Sequence, residues 1–149
     1  MNDAAPEGET PEAIFSRAGD RARQMGLAYA GAVTPAEAHR LQDARAATIV
    51  DVRTEPEYVQ VGHVPDTERI EWPRGGDADA LNRFVDEVRG RYRPDEPLLF
   101  LCRSGARSHY AAHLLTQSGF ARAYNILEGF EGPHPGAGWQ AAGLPTARG

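Results

Sequence analysis

Lysine is absent from this chain of 149 residues, and all 16 basic side chains are arginine. A lysine Schiff base and a phosphate-loop lysine are therefore excluded, since both need a primary amine. Cysteine is almost as scarce. Cys102 stands alone, so no internal disulfide, no Cys-x-x-Cys redox pair and no cysteine-rich zinc site can form. No apolar run approaches the roughly 18 residues that span a bilayer, so no membrane role is expected. The acidic start through Glu12 does not resemble a signal peptide, which makes the cytoplasm the expected location. Basic residues are outnumbered, with a formal net charge of -5, and nothing supports a broad nucleic-acid surface. What is present is ordinary for one folded domain: 41% hydrophobic and 25% charged residues.

Residues 1–12 hold four acids, two prolines and a glycine, too little apolar surface to order a chain, and are expected to form a disordered acidic tail. Residues 13–30 are expected to form an accessory helix, because Ile14, Ala18, Ala22, Met25 and Tyr29 recur at helical spacing. Its stripe should pack on its own domain; contact with a partner or a second copy is the alternative. Thr34, Pro35 and Glu37 form a capping box that opens a helix through about Asp43.

The β-branched run from Ala47 to Val52 is expected to be a buried strand that delivers Asp51 and Arg53 to its carboxyl end. A short helix over Glu55–Val61, a strand over Arg69–Trp72 and an amphipathic helix over Ala78–Tyr92 follow. Leu98–Leu101 is continuously apolar, as a central parallel strand should be. A helix over Ser108–Ser118, expected to bury Tyr110, Ala111, Leu114 and Leu115, and a strand over Ala123–Leu127 complete the alternation. That alternation points to an α/β domain with a mostly parallel sheet.

In such sheets ligands bind beyond the carboxyl ends of the strands, where helix N-termini offer free N–H groups. Cys102 occupies that place. The loop Cys102, Arg103, Ser104, Gly105, Ala106, Arg107 lies between the apolar strand and the helix expected from Ser108. Backbone N–H groups, the helix dipole and two guanidiniums all favour a thiolate there. A merely packed cysteine would explain neither arginine.

Cys102 to Ser108 resembles the active-site loop of the rhodanese family of sulfurtransferases. Asp51-Val52-Arg53, Glu57-Tyr58 and Gly62-His63-Val64-Pro65 are similar to the family's N-terminal signature, and Gly119-Phe120, Tyr124-Asn125, Leu127, Gly129 and Trp139 to its C-terminal one. The resemblance covers about Val33 to Pro145, with Asp66 and Phe130 standing where the family commonly has glycine. It implies one rhodanese-like domain over 31–149, with a mostly parallel five-stranded sheet flanked by helices on both faces; it does not cover residues 1–30, so the N-terminal helix read from the spacing is an addition to that fold. It further implies that Cys102 takes the outer sulfur of thiosulfate and passes it to cyanide or a thiol, without metal or cofactor. Arg103, Ser104, Gly105, Ala106 and Arg107 would bind the donor, the two arginines orienting its sulfonate.

Two other readings stay open. Cysteine phosphatases use Cys-x5-Arg, one residue longer than the Cys-x4-Arg spacing of Cys102 and Arg107. Rhodanese-like domains also serve as non-catalytic binding modules, often without the cysteine. Asp51, Arg53, Glu57 and His63 are expected to bond one another and, with Ser108, to brace the loop. His109 and His113 share a helical face, expected to be solvated rather than metal-bound. Trp72, Phe130 and His134 are candidates for the mouth of the site.

Overall fold

Five strands, each continuing from a loop or crossover into the same sheet, set the frame of the computed structural model, which describes residues 9–149. They are β1 (Gly31–Val33), β2 (Thr48–Asp51), β3 (Glu68–Arg69), β4 (Leu98–Leu101) and β5 (Ala123–Ile126). Their spatial order is β1-β5-β4-β2-β3, and every pairing is parallel. β4 is buried along its whole length because it has a neighbour on each side and helices on both faces.

The alternation of side chains along the strands creates two apolar layers. Val50, Leu98 and Phe100 point to one face, where Phe84, Val85 and Val88 of α3 (Ala78–Arg91) and Ala111, Ala112 and Leu115 of α4 (Ala106–Gln117) cover them. Ile49, Leu99 and Leu101 point to the other, covered by α1 (Pro11–Met25) and α2 (Pro35–Asp43). The capping box of α2 forms as read: Thr34 Oγ1 accepts from the Glu37 N–H at 3.1 Å, and Glu37 Oε1 from the Thr34 N–H at 2.8 Å.

The amino-terminal segment differs from the expectation at both ends. Residues 1–8 of the proposed tail lie outside the described residues. Glu9 to Glu12 are structured: Glu9 pairs with Arg17 at 2.7 Å, Thr10 caps the helix, and α1 begins at Pro11. It stops at Met25, not near Tyr29, because Gly26 takes the left-handed conformation at φ 70° and closes the last turn. Its stripe of Ile14, Ala18 and Ala22 is buried against the chain's own sheet, so this face is unavailable to a partner. A Cβ on Gly31 would lie 2.7 Å from the Tyr124 ring and 2.9 Å from the Ala18 carbonyl carbon, a measure of how closely helix and strand approach.

Glu37 then ties α1 to α2, accepting from Arg17 Nε at 2.7 Å and Arg21 Nη1 at 2.9 Å. Burial alone would raise its pKa, but the bonds from Arg21, the Thr34 backbone and Arg17 outweigh that and hold the carboxyl low.

Other boundaries shift as well. β1 has no counterpart in the sequence reading, the third strand falls at Glu68–Arg69 instead of Arg69–Trp72, and Glu57–Val61 is a π-helical turn. α4 starts two residues early, and Tyr110 is 59% exposed rather than buried; Ser108, Ala111, Ala112 and Leu115 form the inward face. If α1 belongs to the core, Ile14→Ala should cost about 2–5 kcal/mol in urea denaturation, as for other buried truncations. Met25→Ala, at a side chain 52% exposed, should change stability by no more than about 0.5 kcal/mol.

Candidate active site around Cys102

Parallel pairing brings the ends of β2 and β4 together, since Asp51 is in register with Leu101 and the Val52 N–H donates to the Leu101 carbonyl at 2.8 Å. The next residue is Cys102. It is 1% exposed, yet its sulfur has polar company: the Gly105 N–H donates to Sγ at 3.1 Å, and Ser108 Oγ lies 3.2 Å away. Gly105 reaches this position at φ 104°, a region open to glycine, and caps α4. Of the backbone N–H groups expected to favour a thiolate, one bonds to the sulfur. The N–H groups of Ala106, Arg107 and Ser108 have no intrahelical acceptor, as at any helix start, and add their dipoles nearby.

The loop is held from outside through its carbonyls. Cys102 O accepts from the Phe130 N–H at 2.8 Å, Arg103 O from those of Glu131 and Gly132 at 2.9 and 3.1 Å, and Gly105 O from Asn125 Nδ2 at 3.3 Å. Gly129 permits this approach. A Cβ there would fall 2.5 Å from the Arg103 carbonyl and 2.6 Å from Cys102 O, and its φ is 67°.

The two loop arginines part company. Arg107 makes a bidentate pair with Glu57, Nη1 to Oε1 and Nη2 to Oε2, both at 2.8 Å. Glu57 also accepts from the Thr54 N–H and Oγ1 at 3.0 Å each. The Arg107 bond, with smaller help from Thr54, overcomes partial burial and holds the Glu57 carboxyl down at about 2. Arg107 is raised in turn, first by its bond to Glu57 and further by the charges of Cys102 and Asp51. Arg103 points outward, 63% exposed, with Nε 3.5 Å from Glu131 Oε2.

Asp51 and Arg53 are wholly buried and paired at 2.8 Å, and Arg53 Nη2 also donates to Gly62 O at 2.8 Å. The Arg53 guanidinium lies 4.4 Å over the Phe130 ring. Phe130 therefore fills the interior beneath the arginine rather than shaping a mouth. Asp66 adopts the positive φ of 62° that a glycine would take there. His63 stacks on Tyr58 at 3.9 Å and exchanges backbone hydrogen bonds with Ala147, so it braces the carboxyl-terminal segment. Trp72 packs on Phe84 at 5.1 Å, and His134 is exposed.

His109 departs from the solvated face expected for it: Nδ1 shares a 2.8 Å hydrogen bond with Tyr29 Oη. Burial pushes the Tyr29 phenol up, with the Asn125 amide opposing. This pair lines a cleft of about 360 Å³ beside Ser104–Ala106. Among the described residues no three His, Cys, Asp or Glu side chains gather as for a metal ion, and no helix is long and apolar enough to cross a membrane. The pairing of Glu57 with Arg107, 50 positions apart, was not anticipated; the only sequence cue is a Glu three residues after Thr54, the spacing of a local cap.

The site is thus a cysteine at the end of the central strand of a parallel α/β sheet, followed by a glycine loop and a helix start. The Rhodanese-like domain model matches residues 34–133. An uncharacterized protein of Rickettsia conorii is 36% identical over 104 residues, covering 66% of this chain and 81% of that protein. Thiosulfate sulfurtransferase GlpE of Actinobacillus pleuropneumoniae is 29% identical over 113 residues, covering 76% of this chain and 89% of the relative. The crystal structure of Rv0390 from M. tuberculosis aligns with a TM-score of 0.66 and 38% identity, over 82% of this chain and all of the other. The chain belongs to the rhodanese-like domain family.

Two outcomes test this geometry. Gly129→Ala should lower the melting temperature, with strain and overlap costing on the order of 1–3 kcal/mol. Because the folded pKa of Glu57 lies near 2, below its ordinary 4.5, the pair stabilises the fold fully above the unfolded value and loses that contribution as pH falls from 4.5 toward 2. Glu57→Gln should thus be less stable than wild type at pH 6 by a margin that shrinks at pH 3; an equal margin at both contradicts the pairing.

Proposed function

We propose that this protein is a sulfurtransferase in which Cys102 carries sulfane sulfur as a persulfide. The observation that carries the reading is the placement of Sγ: held by the Gly105 N–H and the Ser108 hydroxyl at the end of β4, with its loop carbonyls bound elsewhere. Such a setting supports an anionic sulfur, first as thiolate and then as persulfide. Family membership and the likeness to a thiosulfate sulfurtransferase add to it.

In the first half-reaction the Cys102 thiolate attacks the outer sulfur of thiosulfate. The S–S bond of the donor breaks, sulfite leaves with the electron pair, and Cys102 becomes an anionic persulfide. In the second, cyanide or a thiolate attacks the terminal sulfur, and the Cys102 thiolate is the leaving group. Gly105 and Ser108 serve both halves by donating to whichever sulfur bears the charge. The exposed Arg103 guanidinium can turn onto a sulfonate, and Arg107 keeps its Nε–H and one hydrogen on each terminal nitrogen for the same purpose. The single free thiol suits a reducing compartment, and the cytoplasm is the proposed location.

Intact-mass measurement after thiosulfate treatment tests the reading. Wild type should gain one sulfur that cyanide or a thiol removes, and Cys102→Ser should gain none. A wild-type chain left unmodified by every sulfane donor, or a Cys102→Ser chain that gains the sulfur, would overturn it.

A further inference from the structure

We propose that Glu57 sets donor specificity by neutralising Arg107, biasing Cys102 toward singly charged hydropersulfide donors over the thiosulfate dianion. This rests on the reading that Cys102 accepts sulfane sulfur. Every arginine near the loop has a carboxylate: Arg53 has Asp51, Arg107 has Glu57 and Arg103 has Glu131. Glu128, whose Oε1 accepts from the Gly138 N–H, adds another negative charge on the Ser104–Ala106 side. A donor approaching the Cys102 thiolate thus meets no net positive side-chain charge. A dianion pays for that twice over compared with a monoanion, since Coulomb repulsion scales with the donor's charge.

Of the three pairs, only one is built to control this. Asp51 and Arg53 are completely buried, so separating them would leave a charge stranded in the core. Arg103 and Glu131 are long at 3.5 Å and largely solvated, where screening weakens them. Arg107 and Glu57 are bidentate and partly exposed, and Thr54 fixes the Glu57 carboxylate from behind. The same contacts fix the orientation of Arg107 and neutralise its charge, so its remaining N–H groups offer a sulfonate hydrogen bonds without a net positive charge.

A hydropersulfide needs no such clamp. The Cys102 thiolate attacks the terminal sulfur of the singly charged R–S–S⁻, the S–S bond of the donor breaks, and RS⁻ leaves with the electron pair to take a proton from solvent. Cys102 ends as a persulfide, as it does from thiosulfate.

The test is the rate at which Cys102 of the full chain gains sulfur, followed by intact mass, from thiosulfate and from the hydropersulfide of 2-mercaptoethanol. In wild type the hydropersulfide should load Cys102 at least about tenfold faster at equal concentration. Glu57→Gln should raise thiosulfate loading relative to hydropersulfide by about tenfold, and Glu57→Asp, which keeps the charge, should stay near the wild-type ratio. A Glu57→Gln chain that slows both donors alike would show a purely structural role and overturn the proposal. Should that variant not fold, wild type alone decides, because a preference for thiosulfate overturns the proposal too. Failure of both donors to load wild type would overturn the sulfurtransferase reading itself, an outcome distinct from any change in ratio.

Discussion

A single amide, that of Gly105, turns back on the sulfur of Cys102 across 3.1 Å, and most of the surrounding structure makes that turn possible. Six residues from Cys102 to Arg107 must leave a buried strand, circle one atom and enter a helix. Only a residue without a Cβ takes φ 104° at the closing position without strain. The carbonyls displaced by the turn need partners, and the Phe130–Gly132 backbone and Asn125 supply them. Gly129 in turn must lack a Cβ for those partners to come so close. The fold is therefore arranged around two backbone approaches, one inside the loop and one behind it.

Charge follows a different logic. Near the sulfur, arginines and carboxylates occur in equal pairs, and the pair most deeply buried, Asp51 with Arg53, also anchors Phe130 and the Gly62 carbonyl. A buried ion pair of this kind is weak evidence for added stability, but it imposes a unique arrangement on the strand end beside the loop. Glu57 and Arg107 extend the pairing to the surface. What faces the sulfur is therefore one oriented amide and the hydroxyl of Ser108 rather than a net positive charge.

The parts of this architecture with local signatures were legible in the sequence. The capping box at Thr34, the apolar run of Leu98–Leu101 and the stripe of Phe84, Val85 and Val88 each carry their own spacing rule. The loop around Cys102 was legible because a glycine and two arginines sit where no packing argument explains them. β1 was not, since three residues of Gly-Ala-Val present no period. The end of α1 is masked because Met25 and Tyr29 continue the helical spacing, whereas the left-handed turn at Gly26 overrides it. Tyr110 is a similar case in α4: its size and apolar ring suggest the core, although small Ala112 lies inward. The pairings of Glu57 with Arg107 and Tyr29 with His109 join distant segments, and no local pattern encodes them.

A sulfur-carrying Cys102 requires its loop to hold a second sulfur atom. A crystal structure of the chain treated with a sulfane donor tests it most directly. One additional atom is expected about 2.05 Å from Sγ, inside the loop and within hydrogen-bonding reach of its amides. Density for an unmodified Sγ under conditions where donor is consumed, or a new sulfur projecting away from the loop, would contradict it.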